Sequence, residues 1–353
     1  MKEFFDFPIP TASYGWNALF GMSEQVPVIF VLLAAFVFFF CFILFPLFFG
    51  LSFAERKLSA DLQARVGPNR TPGYGVLQSL ADLLKLGAKT ENNPDATPKM
   101  RWFMAHGAAL YMSFAFLPFG TALIFLDSEM GAFLPFLSIG LLFLISLFAN
   151  EGARDLEDEI LVHRQSFLWV SAWIPALIAV TVVVARTGSA RWSTILASQS
   201  SGLFSWTFFS SPFGAISFFI FLFSGLIALQ LPPFHTIDRG ARHRSGVRFG
   251  MFEMNQFYAT FAWCVLASSL FLGGNAAREI SDTTFLIAAV ELVFTLLKAS
   301  VIFLTIRVVA RALPQLRQDQ MTEFCWRVLT PVAILCLVGE LFWIRVLAGG
   351  LSG

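Results

Sequence analysis

The sequence predicts an all-α membrane protein with about eight transmembrane helices and an amphipathic helix on its first cytoplasmic loop. Hydrophobic residues make up 57% of the 353 positions and charged residues only 13%, and the mean hydropathy is +0.71. The chain also contains 43 phenylalanines. A soluble core could not bury this much apolar surface, so lipid is expected to be the solvent. The net charge of +1 gives no reason to expect nucleic acid as a partner.

Eight apolar runs are long enough, or nearly so, to cross a hydrocarbon core that needs about 20 residues per helix. They fall at 27–53, 103–126, 131–149, 166–185, 213–231, 249–273, 284–306 and 328–348. No internal repeat or low-complexity linker divides the chain, so residues 1–353 are predicted to form a single integral membrane domain. Residues 192–209 are expected to add an interfacial helix or hairpin on the outer side.

Basic residues concentrate in the loops on one side of this topology. Most of the 24 Lys and Arg residues lie in the loops at 54–102, 150–165, 232–248 and 307–327. The positive-inside rule makes these loops cytoplasmic and places both termini on the periplasmic or outer side. The N-terminal residues lack the basic region and cleavage site of a signal peptide, so the first apolar run is expected to remain as a membrane helix.

Cysteine and histidine patterns argue against a metal or iron–sulfur site in this chain. The four cysteines are scattered along the chain, and no two have the close spacing of a metal-binding pair; they are Cys41, Cys264, Cys325 and Cys336. The four histidines show no metal-ligand spacing, and there is no phosphate-binding glycine loop or nucleophile elbow. We therefore expect no metal ligands and no catalytic residue.

The first loop carries the densest pattern of polar residues. Turn residues at 67–69 and 71–73 reverse the chain before a helix that begins near Tyr74. Its predicted apolar face comprises Val76, Leu77, Leu80, Leu83, Leu84 and Gly87, and its polar stripe comprises Gln78, Asp82, Lys85 and Lys89.

Periodicity leaves two interpretations of this helix open. It could lie on the lipid headgroups with its basic residues snorkelling to anionic lipid, or it could form one wall of a cavity for a polar headgroup. The basic residues elsewhere in the loop that are available to such a cavity are Arg56, Lys57, Arg65 and Arg70.

Residues 55–91 also contain a long set of residues whose identities and spacing form a distinctive motif. The ordered positions are Glu55, Arg56, Lys57, Ala60, Gln63, Arg65, Gly67, Pro68, Asn69, Gly75, Gln78, Ala81, Asp82, Lys85, Leu86 and Lys89. In this order and spacing the segment resembles the signature of the H-type membrane subunit of bacterial NADH:quinone oxidoreductase (respiratory complex I), the counterpart of mitochondrial NADH dehydrogenase subunit 1. A second match lies at Arg311, Ala312, Pro314, Arg317, Asp319, Gln320, Met321 and Trp326.

The resemblance implies a membrane subunit of a proton-translocating complex in the bacterial cell inner membrane. Members of this family carry no redox centre of their own; NADH, FMN and iron–sulfur clusters belong to partner subunits, and quinone is the substrate. They form the membrane side of the quinone chamber. They also link the iron–sulfur and quinone-site subunits of the peripheral arm to antiporter-like membrane subunits, within surrounding lipid. The implied quinone-binding residues are Arg56, Gln63, Arg65, Asp82 and Lys85.

The chain departs from this family's pattern where the family has buried acids. The loop from Pro233 to Gly246 holds Asp238 as its one carboxylate, and Trp173 stands where the family has a glutamate. The remaining candidates for a proton relay are Asp238, Glu291, Lys298 and Glu340. Glu291 and Lys298 are two turns apart on one helix face, roughly 10 Å, which suits a water-linked path.

Two other functions stay open at this point. The membrane anchor of an energy-converting hydrogenase is related but handles no quinone, and the Gly-Pro-Asn run with the preceding Glu-Arg-Lys favours complex I over it. A self-contained transporter, with the charged loop as a gate, would be expected to show inverted repeats with broken helices, and the sequence has no such symmetry.

Overall fold

The computed structural model describes residues 28–90, 100–120, 123–150, 156–231, 246–273, 284–314 and 316–350. Regular structure in these residues is helical, and no strand occurs among them. A helix overlaps each of the eight predicted apolar runs, although the one in the run 103–126 ends at Phe116. The predicted all-α fold is therefore confirmed.

The first membrane helix contains a π-helical turn and extends beyond its predicted span. Helix α1 (Val28–Phe39) passes through this turn (Phe40–Leu44) into α2 (Phe45–Leu62). Residues 54–62 include no glycine or proline and favour helix, so α2 continues past the predicted end at residue 53. The Glu-Arg-Lys motif consequently stands on a rigid helix.

The amphipathic helix of the first loop is α3 (Gln78–Ala88). The predicted start near Tyr74 is wrong, because Tyr74 and Gly75 have φ angles of 57° and 99° and belong to the preceding turn. A side chain at Gly75 would overlap the carbonyl oxygen of Pro68, so this position requires glycine. The turn returns α3 to the side of α2.

The rest of the chain is a series of helices of very different lengths. In order they are α4 (Met100–Phe116), α5 (Phe133–Asn150), α6 (Leu156–Thr187), α7 (Trp192–Ser198), α8 (Thr207–Ser210), α9 (Pro212–Ala228), α10 (Gly246–Phe271), α11 (Thr284–Ala312), α12 (Gln318–Phe324) and α13 (Thr330–Gly350). A second π-helical turn, Cys325–Leu329, joins α12 to α13.

Several of these helices have the length and hydropathy of membrane spans. Within the described residues, the four that qualify by length and composition are Ala34–Leu62, His163–Thr187, Ala288–Ala312 and Gln318–Val346. Shorter apolar helices occur at Phe133–Ile145 and Pro212–Ala228. The protein is thus a membrane protein with multiple spanning helices, while the number eight and the side of the termini stay predictions.

Two groups of helices pack closely. Helix α6 packs on α9 and α13, and α10 packs on α4, α9 and α11. Indole rings lie against glycines at two helix crossings: Trp173 against Gly140, and Trp263 against Gly225. Small residues let membrane helices approach in this way, and these crossings fix the relative positions of the polar residues described below.

The segment at 192–209 is helical in part and attached to the bundle. The indole of Trp192 donates to the Phe116 carbonyl oxygen at 3.0 Å, and the Gln199 amide donates to the Leu270 carbonyl oxygen at 3.0 Å. The predicted short helix is therefore present as α7, anchored by two side-chain hydrogen bonds to α4 and α10.

Candidate functional site

An ion pair joins α2 to α3. Nη1 of Arg56 donates to Oδ2 of Asp82 at 2.6 Å, and Oδ1 of Asp82 accepts from the Gln78 amide at 2.9 Å. Both charged side chains are partly exposed. The structure thus brings two of the five predicted quinone-binding residues into direct contact and leaves one side of the pair open.

A narrow face of α3 holds this pair in place. Ser79 is buried and donates to the Ser52 hydroxyl of α2 at 2.9 Å. Leu83 packs against the core, and Leu86 Cδ1 lies 3.4 Å from the position that a Cβ on Gly250 of α10 would occupy. Positions 79, 83 and 86 share one face of a helix, so α3 is fixed against both α2 and α10.

Most of the predicted apolar face of α3 points away from the bundle. Leu77, Leu80 and Leu84 are exposed, as are Lys85 and Lys89. Lys85 and Lys89 follow Asp82 by three and seven positions and so lie on its polar stripe, while the exposed leucines lie on the opposite side of the helix. The exposed leucines and the Arg56–Asp82 pair thus lie on different faces of α3, and both interpretations of this helix stay open.

The other predicted quinone-binding residues lie elsewhere on the same elements. Nε of Arg65 donates to Oε1 of Gln63 at 2.8 Å, just after the end of α2, and both side chains are exposed. Lys85 is exposed on α3, one turn after Asp82. The five predicted residues thus form two contact groups and one further cation, all on α2, α3 and the turn between them.

A buried carboxylate of the signature segment, which was not among the predicted site residues, connects α2 to α11. Oε1 of Glu55 lies 3.4 Å from Nη1 of Arg307 and 3.4 Å from Nη2 of Arg311. Glu55 and Arg307 are 11% and 13% exposed at the side chain. The Arg307 guanidinium also lies over the rings of Phe257 and Phe303, 5.7 and 5.1 Å from their centroids. The sequence did indicate that such a contact was possible, because opposite charges stand at the ends of two predicted spans.

Glu340 is a fully buried carboxylate that forms an ion pair and a hydrogen bond among three helices. Its side chain is 0% exposed, and Oε1 lies 2.6 Å from Nη1 of Arg186 near the end of α6. Its other oxygen accepts from the Ser211 hydroxyl at 2.5 Å. The Ser211 oxygen in turn accepts from the Gly214 amide at 3.0 Å and caps α9. One carboxylate thus holds α6, α9 and α13 together.

Lys298 binds the end of a neighbouring helix. Nζ of Lys298 donates to the carbonyl oxygens of Leu272 and Gly273, at 3.0 and 2.5 Å, and lies 4.0 Å from the ring centroid of Trp206. The C-terminal end of a helix carries partial negative charge, and an aromatic face also attracts a cation. Both contacts stabilise the charged ammonium group.

The two remaining relay candidates are Glu291 and Asp238. Glu291 is 0% exposed and lies against Gly120, with Oε2 at 2.8 Å from the position of a Cβ on that glycine. Asp238 lies outside the described residues. No group of three His, Cys, Asp or Glu side chains is placed to hold a metal ion in the part of the chain that the structure describes.

Residues 31–340 match the family model described as NADH dehydrogenase. The chain belongs to this family. It is 28% identical over 351 residues to the H-type subunit of NADH-quinone oxidoreductase from Chlorobaculum tepidum, across 94% of each chain. It is 32% identical over 309 residues to the protein of the same name from Bacillus cytotoxicus, across 82% of this chain and 89% of the relative.

Membership of the NADH dehydrogenase family confirms the resemblance seen in the first loop. The matched range runs from α1 to Glu340 and so includes the Arg56–Asp82 and Arg186–Glu340 pairs and all the described relay candidates. Both ion pairs are therefore parts of the region that the chain shares with its family.

Proposed function

We propose that this chain is the membrane subunit of a proton-translocating NADH:quinone oxidoreductase and forms the membrane side of its quinone-binding chamber. Two observations support this: membership of the NADH dehydrogenase family, and the partly exposed Arg56–Asp82 pair at the junction of α2 and α3. The pair is the stronger support because it lies within residues 55–91, the segment that most closely resembles the family's signature.

The chemistry of the pair suits a quinone headgroup. A guanidinium has five N–H donors, so Arg56 can keep its bond to Asp82 and still donate to a quinone carbonyl oxygen. Arg65, Gln63 and Lys85 then contribute polar groups where the chain leaves α2 and along α3.

The same proposal assigns the partners. Iron–sulfur and quinone-site subunits of the peripheral arm would cover the cytoplasmic face, and antiporter-like subunits would lie alongside in the bacterial inner membrane. NADH, FMN and iron–sulfur clusters would belong to those partners, with no redox centre in this chain. This chain would link the two arms, with Lys298, Glu291, Glu340 and Asp238 as candidates for proton relay.

Arg56→Ala in the assembled complex tests the quinone-binding role. Loss of a charge-assisted hydrogen bond, typically about 1.5–3 kcal/mol, should raise the KM for quinone roughly tenfold or more. NADH oxidation by a soluble acceptor that takes electrons from the peripheral arm before quinone should be unchanged. Arg317→Ala removes a largely exposed arginine and serves as the matched control.

The outcomes separate the alternatives. An unchanged KM and turnover with quinone in both Arg56→Ala and Arg65→Ala would remove the first loop from the quinone site. A native complex that contains this chain, lacks quinone reduction and evolves hydrogen would favour the hydrogenase anchor. Purification of the chain alone from native membrane, without flavin or iron–sulfur proteins, would favour a transporter.

A further inference from the structure

The segment between α6 and α9 presents two different exposed surfaces. Its first part, α7, exposes only small and polar side chains, which are Ser193, Thr194, Ala197 and Ser198. Its second part exposes Leu203, Phe204 and Phe209, which are 61%, 87% and 53% exposed. Phe204 is the most exposed large apolar side chain in the part of the chain that the structure describes. Polar and apolar exposed groups are therefore separated along one short segment.

A glycine separates the two parts of the segment. Gly202 has a φ of 131° and a ψ of −178°, a conformation that is essentially restricted to glycine. A short 3₁₀ turn, Leu203–Ser205, follows it, and the Ser205 amide donates to the Gly202 carbonyl oxygen at 3.1 Å. The chain thus changes direction after α7, and the turn carries the two most exposed apolar side chains of the segment.

Helix α10 shows where the segment lies relative to the first loop. Leu86 of α3 lies against Gly250, near the beginning of α10, whereas the Gln199 amide of the segment donates to the Leu270 carbonyl oxygen near its end. Residues 250 and 270 are about 30 Å apart along the helix, at about 1.5 Å per residue. A hydrocarbon core is also about 30 Å thick. The first loop and this segment therefore lie at opposite faces of the membrane.

The apolar part of the segment is continuous with an exposed face of α9. The ring of Phe208 lies 4.8 Å from that of Phe209 and 6.1 Å from that of Phe219, measured between centroids. Phe219 and Ile216 are three residues apart on α9, so they share one face of this apolar helix, and both are exposed. The exposed apolar surface of a membrane helix therefore extends without a break onto the segment.

The composition of this surface matches lipid. No charged side chain occurs between Arg191 and His235, and charged groups are what a hydrocarbon phase disfavours most. Aromatic side chains are enriched at the boundary between lipid and water, where an amphipathic segment can lie in the plane of the membrane. Single exposed apolar side chains are ordinary on a protein surface, but a contiguous apolar patch marks an interaction site. Acyl chains satisfy such a patch without any charged partner.

We propose that Leu203, Phe204 and Phe209 insert into the lipid leaflet opposite the first loop and anchor this segment to the membrane. The partner is the acyl-chain region of that leaflet, next to the headgroups. The exposed hydroxyls of α7 face water on the same side. This lipid contact does not depend on the quinone-binding role proposed above, so either proposal can fail without the other.

The anchored segment covers the end of α10. The indole of Trp206 lies against Gly273, with Cδ1 at 2.6 Å from the position of a Cβ on that glycine, and its ring centroid is 4.0 Å from Nζ of Lys298. Gln199 holds the Leu270 carbonyl oxygen on the other side of the turn. Insertion of the turn into lipid keeps both contacts in place, because Gln199 and Trp206 flank it directly.

Photochemical cross-linking in native membranes tests the contact with lipid. A benzophenone side chain reacts on irradiation with the C–H groups that it touches, so Phe204→p-benzoylphenylalanine reports the neighbours of residue 204. Its peptide should carry a phospholipid adduct about fivefold or more as often as the peptide of Ser198→p-benzoylphenylalanine, as quantified by mass. Ser198 is the matched control, because it is exposed in the same segment but lies on the polar side of α7.

Hydrogen exchange in the same membranes measures the anchoring itself. Leu203→Ser and Phe204→Ser, combined in one variant, should speed amide exchange in the peptide 199–211 roughly threefold or more, because the turn then leaves the lipid more readily. Ser198→Ala should leave this exchange unchanged. A dominant adduct between position 204 and another protein, or equal lipid adducts at 204 and 198, overturns the contact with lipid. Native exchange in the double serine variant overturns the anchoring.

Discussion

Replacing Glu55 by glutamine is expected to detach α2 from α11. Its Oε1 lies 3.4 Å from both Arg307 and Arg311, and the neutral amide would leave the buried Arg307 guanidinium without its counterion. At 3.4 Å and an effective dielectric constant of about 20, the attraction of one pair is about 5 kcal/mol. Desolvation of the charges offsets part of this, so we expect a net loss of about 3 kcal/mol.

The thiol of Cys264 provides the assay. Cys264 is fully buried on α10, which packs on α11, so a thiol reagent reaches it only when these helices separate. If opening is fast relative to labelling, the labelling rate follows the free energy of opening. Each 1.4 kcal/mol is a factor of ten, so Glu55→Gln should speed the labelling of Cys264 roughly 100-fold.

Two comparisons make this prediction specific. Arg311 is 37% exposed and Arg307 remains as a partner for Glu55, so Arg311→Ala should reduce stability by at most about 1 kcal/mol. Arg317→Ala breaks a largely exposed pair with Asp319 and should leave the labelling of Cys264 unchanged. Native labelling kinetics in Glu55→Gln, or equal effects of Glu55→Gln and Arg311→Ala, would refute the reasoning.

Four further substitutions have clear expected results. Gly225→Ala should destabilise the protein by about 1–3 kcal/mol in thermal unfolding, because the new Cβ overlaps the Trp263 indole, whereas Gly87→Ala has no neighbour within 4 Å and should be neutral or slightly stabilising. Gly75→Ala should make the first loop more sensitive to limited proteolysis, since it forces a side chain against Pro68 at a φ of 99°. Lys298→Met removes the cation from the end of α10 and should lower the number of protons translocated per NADH; an unchanged number would exclude Lys298 from the relay.

Sequence patterns predicted the helices and the polar stripe of α3 well, since both follow from local periodicity. Asp82 lies on the predicted polar face and contacts Arg56, a residue of the same signature segment. The predicted start of α3 was about one turn too early, because Tyr74 adopts a positive φ, which residues other than glycine rarely do. Propensity does not reveal such a conformation, which the surrounding turn imposes.

Periodicity in the sequence does not predict which distant segments of the chain contact each other. Ser79 is buried and Leu84 is exposed on the same helix, because the packing of α3 on α2 and α10 decides which face is covered. The partners of Glu55 are on α11, more than 250 residues away. Opposite charges at the ends of two spans indicated that a pair was possible, but only the arrangement of the helices identifies which charges meet.

Glu55 and Arg56 are consecutive residues, and successive side chains of an α-helix point about 100° apart. Helix α2 therefore presents a negative charge to α11 and a positive charge to α3 at the same height. A rotation of α2 about its own axis would therefore disturb both ion pairs together. The contacts of α2 with α3 and with α11, the helix that carries Lys298 and Glu291, thus depend on two adjacent side chains.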